Sequence, residues 1–173
     1  MNADNLEGVS DGEDDTFGVD PLSEAAIAAE AAEFFRRARH RSVAWLSRRE
    51  YATGEMQTKL LSKDIPAPIV KQTMEWLLDN DLLSNQRFSE AFSRRRARQG
   101  YGPIRTKMEM RARGVPDALI DSAVNAINWL DAAQLAWDKR FRSQTPETAE
   151  QRAKQQKYLA QRGFSHDIIR NIF

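Results

Sequence analysis

NQRFSEAFSRRRARQGYGPIRTKMEMRARG, residues 85–114, reads as a basic helix, a tight turn and a second basic helix closed by glycine. On the first helix Phe88, Ala91 and Phe92 recur at i, i+3 and i+4, one buried face that leaves most of the arginines on the other side. Gly100 can take positive φ and end that helix, Gly102 lets the chain turn again, and Pro103 suits the first position of the next helix. From Ser84 to Arg113 nine bases stand against two acids, Glu90 and Glu109, a local charge of +7. A solvated face is the plain reading of such a run. Tyr101, held between two glycines, suggests a phosphate-facing surface where stacking and charge act together, with packing under the turn as its alternative.

The stretch is one copy of a repeat. At a constant offset of fifty, Tyr51 matches Tyr101, Leu60 matches Met110, Lys63 matches Arg113, Asp64 matches Gly114 and Ile65 matches Val115. Ile69, Val70 and Met74 match Leu119, Ile120 and Val124 in the same way. A third copy follows at forty-nine: Leu159, Arg162, Gly163, Phe164, Ile168, Ile169 and Phe173. Each copy reads as three short helices with an apolar residue straight after the second helix stops. Such units bury their faces only by stacking, so the expected fold is all-α, an elongated and curved tandem array of three three-helix repeats.

Residues 1–24 carry eight acids and no base, which leaves 17 acids against 26 bases in the rest, a body of +9. Residues 1–21 hold few apolar anchors and are expected to form a disordered acidic tail, a solubility device or a competitor for the basic body. Residues 22–83 are expected to hold an N-terminal helix and the first repeat, 84–128 the second and 129–173 the third. Ser23 is the expected cap of the first helix, with Ile27, Phe34, Phe35 and Trp45 inward, as one long helix or two. Thr53 is the expected cap of the next, Asp64 its stop in the left-handed region, and Pro66 and Pro68 open the third. In the last repeat Leu135, Ala136 and Phe141 are expected to face inward and Thr145-Pro146 to start the middle helix. Trp45, Trp76, Trp129 and Trp137 are assigned to the core.

The composition excludes much chemistry. There is no cysteine, hence no disulfide framework, thiolate zinc site or thiol nucleophile. No long apolar run and no basic-then-apolar leader appears, so a soluble, cytoplasmic protein is expected. His40 and His166 stand apart, and Asp131 and Asp138 lack a companion ligand at metal-binding spacing. Gly100-Tyr101-Gly102 follows a helix instead of a strand, unlike a nucleotide loop. No catalytic residue, metal or cofactor is assigned.

Arg48-Arg49-Glu50-Tyr51, Leu82-Leu83 leading into Asn85 to Phe92, Arg98 to Pro103, Arg113-Gly114-Val115, Lys139-Arg140-Phe141 and Tyr158 to Ser165 together resemble the RecX family of recombination regulators, over about residues 41–173. Asp64 stands where that family usually has glycine, Asn85 where it often has aspartate, and Lys157-Tyr158 where Arg-Phe is common. The resemblance implies a small all-α modulator that lodges in the groove of the RecA filament on DNA. There it blocks growth and damps ATP hydrolysis, strand exchange and stimulated repressor cleavage. The residues expected to bind RecA or DNA are Arg48, Arg49, Arg94, Arg95, Arg96, Arg98, Tyr101, Arg105, Lys107, Arg111, Lys139 and Arg140. Arg113 and Arg162 are expected instead to serve their own helix C-termini. The rival reading is a basic helical factor acting directly on DNA. Its weakness is the shortage of Asn and Gln beside the arginines, which suits phosphate contact and not base readout.

Overall fold

The computed structural model describes residues 20–173. The expected acidic tail therefore lies outside the described residues, apart from Asp20 and Pro21. Among the described residues the chain is helix and connecting turn: α1 (Pro21–Leu46), α2 (Thr53–Leu61), α3 (Ala67–Asp79), α4 (Asn85–Arg98), α5 (Pro103–Arg111), α6 (Asp117–Asn125), α7 (Trp129–Phe141), α8 (Ala149–Gln161) and α9 (His166–Arg170). The main packing is within α1–α3, within α4–α6 and within α7–α9, with α4 against α7 joining the last two units.

Helix starts are where local chemistry differs most from expectation. The Asp20 carboxylate accepts the Leu22 N–H, so α1 begins ahead of Ser23 and runs unbroken through 26 residues. Residues 22–30 stand off the body, and Ile27, expected inward, is 61% exposed. Thr53 is the first residue of α2, whose cap position is Ala52. Thr148, not Thr145-Pro146, starts α8: its hydroxyl accepts the Gln151 N–H, while Pro146 is buried in a connection that passes through two left-handed residues, Arg142 and Ser143. Leu135 faces outward, 57% exposed. Trp129 and Trp137 are buried, their indole N–H groups donating to the Val124 carbonyl at 2.8 Å and the Gln155 amide oxygen at 2.7 Å. Trp45 and Trp76 are half-buried, with Lys59 and Arg39 over their rings.

The repeat holds in three dimensions. Leu60, Met110 and Leu159 have no exposed surface, and Ile65, Val115 and Phe164 follow them into the interior. The stop between them is left-handed each time: Asp64 at φ 56°, Gly114 at 77° and Gly163 at 87°. Two cores result. One is confined to α1–α3, around Met56, Leu60, Val70 and Leu77; the other, around Phe92, Met110, Ile120, Trp137 and Leu159, is shared by the second and third units and takes in Ala52.

One contact generates the array. The turn ending the second helix of a unit docks on the start of the second helix of the unit before. At the joint between units two and three, Gly102 N–H donates to the Arg162 carbonyl at 2.8 Å and Ile104 N–H to the Gly163 carbonyl at 3.0 Å. A Cβ on Gly102 would lie 2.3 Å from backbone atoms of Gly163 and Phe164. Gly102 has an ordinary extended backbone, so it is required for this approach and not, as expected, for turning. At the joint between units one and two, Gly54 meets the Arg113 carbonyl in the same manner. Polar contacts close that joint: Thr53 and Asn85 exchange hydrogen bonds at 3.0 Å, and Arg87 reaches Glu50 at 3.1 Å.

Candidate functional site

The basic residues on α4 and α5 divide sharply by partner. On α5 they are neutralised: Arg105 meets Glu109 at 2.9 Å, Lys107 meets Asp121 at 2.6 Å and Arg111 meets Asp117 at 2.6 Å, the last two stapling α5 to α6. Arg96 turns inward to Glu109, its side chain only 19% exposed, and so is not the solvent-facing group that the sequence suggested. Arg94 is exposed, with Glu90 no closer than 3.9 Å. Arg49 is half-buried, paired with Glu55 at 2.6 Å and lying 3.6 Å above the Tyr51 ring.

Arg95, Arg98, Lys139 and Arg140 are different: among the described residues no carboxylate lies within 4.0 Å of any of them. They are also brought together. A cleft of about 240 Å³ between the first two units is lined by Arg49, Phe88, Phe92, Arg95 and Arg98 together with one acid, Glu50, which is paired with Arg87. A second, of about 370 Å³ between the last two, is lined by Arg98, Leu135, Lys139, Arg140, Tyr158 and Arg162. Arg98 lines both, so the two clefts adjoin at the end of α4, and together they make a trough across both joints in which cations outnumber the single acid, Glu50. Arg48 is exposed in the turn before α2, outside both clefts and without a carboxylate partner among the described residues.

The helix itself helps to hold this charge. Arg95, Arg96 and Arg98 occupy the last turn of α4, where the negative end of the helix dipole favours cations by about 0.3–1 kcal/mol each at an exposed site. Repulsion remains: burial first, then Arg96, Arg49 and Arg113, push the Arg95 guanidinium below its ordinary pKa. Glu109 shows the opposite balance. Burial would raise its carboxyl, but the Arg105 hydrogen bond and the charge and hydrogen bond of Arg96 outweigh that and hold it below the usual range.

Tyr101 is half-buried inside a cage of guanidinium groups, Arg105 at 4.4 Å, Arg96 at 5.0 Å and Arg162 at 5.3 Å from the ring centre. It packs at the turn and organises cations in one arrangement. Arg113 serves its own helix, donating to the Glu109 carbonyl. Arg162 does not: it caps α4, donating to the carbonyls of Gln99 at 3.2 Å and Gly100 at 3.1 Å. Sequence reasoning missed Arg162, Leu135 and Tyr158 as lining of the trough, and nothing in the linear pattern joins them to Arg98. It also passed over residues 34–41, which hold four arginines and no acid; of these Arg36 pairs with Glu33 and Arg39 stacks 3.9 Å over Trp76.

Among the described residues no three acids or histidines gather to hold a metal ion, and no helix is long and apolar enough to cross a membrane. Three family models match in chain order: RecX, first three-helix domain, over residues 38–77; RecX, second three-helix domain, over 84–124; and RecX, third three-helix domain, over 128–173. A Regulatory protein RecX from Pseudomonas syringae pv. tomato is 34% identical over 126 residues, 72% of this chain and 81% of that protein. One from Pseudomonas fluorescens is 36% identical over 129 residues, 73% of this chain and 83% of its own. In fold the chain is similar to the crystal structure of RecX from Lactobacillus salivarius, with a TM-score of 0.66, 21% identity, and 82% of this chain and 95% of that one covered. A second crystal structure, of regulatory protein RecX, gives 0.70 at 23% identity, covering 90% and 79%.

Proposed function

The chain belongs to the RecX family of regulatory proteins, and on that premise we propose that it is a negative regulator of the RecA recombinase. It binds the RecA–DNA filament as a monomer in the cytoplasm, limits filament growth, and lowers ATPase, strand-exchange and co-protease activity without chemistry of its own. The observation that carries this is the cationic trough. Arginines and a lysine left without carboxylates cost folding energy through mutual repulsion, and a polyanionic assembly supplies the missing countercharge while releasing its counterions. The trough crosses two joints of an extended array, so it offers a line of charge suited to a long groove and unlike a pocket for a small molecule. Arg95, Arg98, Lys139 and Arg140 make the central contacts, with Arg94, Arg48 and Arg49 beside them. Tyr101, Arg96, Arg105, Lys107 and Arg111 shape and support that face.

The test is a titration of labelled DNA with and without RecA and ATP, alongside filament lengths by electron microscopy with the protein added before and after assembly. We expect weak, salt-sensitive, sequence-indifferent binding to bare DNA, much tighter binding to filaments, and shorter filaments when the protein is present from the start. Tight binding to one duplex sequence, unchanged by RecA, would replace this reading with that of a factor acting on DNA directly.

A further inference from the structure

The cleft between α4 and α7 is more specific than a strip of positive charge needs to be. Arg98, Lys139, Arg140 and Arg162 converge on it, and no acid lines it. Arg162 is already fixed, one nitrogen held by the Gln99 and Gly100 carbonyls. On the α7 side the wall is apolar: Leu135, more than half exposed, lies one helical turn before Lys139 and beside Ala136. A solvent-facing leucine inside a ring of cations has no role in binding bare phosphates.

The aromatic side chains point the same way. Tyr158, the ring that lines this cleft, carries Arg162 over it at 4.8 Å and meets Phe141 edge to face at 5.3 Å. Tyr101 nearby is enclosed by its three guanidinium groups. Single-stranded nucleic acid gains much of its affinity by stacking bases on open rings, and these rings are occupied. What remains is a recess for an apolar side chain bordered by cations that can receive carboxylates.

We propose that this cleft binds an acidic peptide segment of a partner protein, with an apolar side chain of the segment against Leu135 and its carboxylates on Arg98, Lys139 and Arg140. The inference rests on the filament-regulator reading only for which protein supplies the segment; binding itself is measured without any recombinase.

The experiment is fluorescence anisotropy of the full-length chain with a short labelled peptide of repeated Glu-Asp-Leu, and with oligo-dT of the same length as the second probe. Leu135→Ser is expected to weaken peptide binding about tenfold, the factor that partial burial of one leucine supplies, and to leave oligo-dT binding unchanged. Lys139→Glu is expected to abolish peptide binding, and circular dichroism of both variants, each altered at an exposed position, is expected to match the parent. No peptide binding, or equal binding by Leu135→Ser, overturns the proposal. Oligo-dT binding tighter than the peptide and lost in Lys139→Glu also overturns it, and assigns the cleft to nucleic acid. If Leu135→Ser loses the peptide yet still shortens filaments, the regulator reading survives without this contact. If the parent binds peptide but never affects filaments, the reverse holds.

Discussion

Replacing Gly102 with alanine separates the two reasons a joint can demand glycine. The residue sits at φ −88°, ψ 172°, where alanine is unstrained, and a free turn with that geometry would gain about 0.4–1 kcal/mol through the stiffer unfolded chain. Here the new Cβ would lie 2.3 Å from the carbonyl carbon and oxygen of Gly163 and from the Phe164 nitrogen. All three are backbone atoms, so no rotamer relieves the clash, and the units must separate by about 1 Å to restore ordinary contact. That movement takes the 2.8 Å and 3.0 Å hydrogen bonds of the joint out of range. At about 0.5–1.5 kcal/mol each, with Arg162's hold on α4 disturbed as well, the expected loss is about 2–4 kcal/mol. Urea denaturation followed by tryptophan fluorescence measures it, since Trp129 and Trp137 both lie in the core that the joint closes. The sign decides: a variant as stable as the parent, or more stable, would refute docking of the units through backbone contact.

Asp64→Gly is expected to stabilise the chain by up to about 1 kcal/mol, because Asp64 bears the left-handed strain at a turn that, among the described residues, has no preceding unit to dock on; a loss in thermal melts would count against it. Reversing charge at Arg94, Arg95 and Arg98 together should remove inhibition of RecA ATPase with helical content unchanged, whereas Arg111→Glu, already opposite Asp117, should reduce it far less; equal effects would mean that pairing is irrelevant to binding. Glu109 is held below the ordinary carboxylate range, so its contribution is complete above about pH 4.3 and is lost as pH falls through its lower folded value. Glu109→Gln should therefore destabilise at neutral pH and converge with the parent in acid, and a constant gap across that range would exclude the linkage. Deleting residues 1–19, which keeps the Asp20 cap, should leave filament inhibition intact or stronger, read as ATPase rate.

The fold was legible because its signal is periodic. Leu60, Met110 and Leu159 recur with an apolar residue five positions on, and a fixed spacing survives any local uncertainty about where a helix starts. Helix starts were less legible. Asp20 and Thr148 compete with neighbouring Ser23 and Thr145 for the same role, and Ala52 takes the cap position expected of Thr53, choices that only packing makes. Leu135 misled for a related reason: on a helix already burying Ala132, Ala133, Ala136 and Trp137, one more apolar residue falls outside the stripe. The candidate site was half legible. Charge density located α4 and α5, but whether a base is free depends on carboxylates such as Asp117 and Asp121 from α6, which linear counting cannot assign to partners.

That division of partners follows from how the array is built. The second helix of each of the first two units is clamped between its own third helix and the turn of the next unit, and bases on α5 find carboxylates within reach and spend their charge on holding the unit together. Helix α4 instead runs past both joints, and its last turn faces outward where the units meet. Cations there are tolerated because the helix end and the Gln99 and Gly100 carbonyls offer partial negative charge without neutralising them. The consequence is that joint and trough are one structure. Arg162 closes the joint and lines the cleft at once, so Arg162→Ala is expected to lower stability and loosen binding together, in contrast to Lys139→Ala, which should loosen binding alone. Paired measurement of urea midpoint and filament affinity for the two variants checks this. An Arg162→Ala protein of unchanged stability but weakened affinity would show the joint and the trough to be independent.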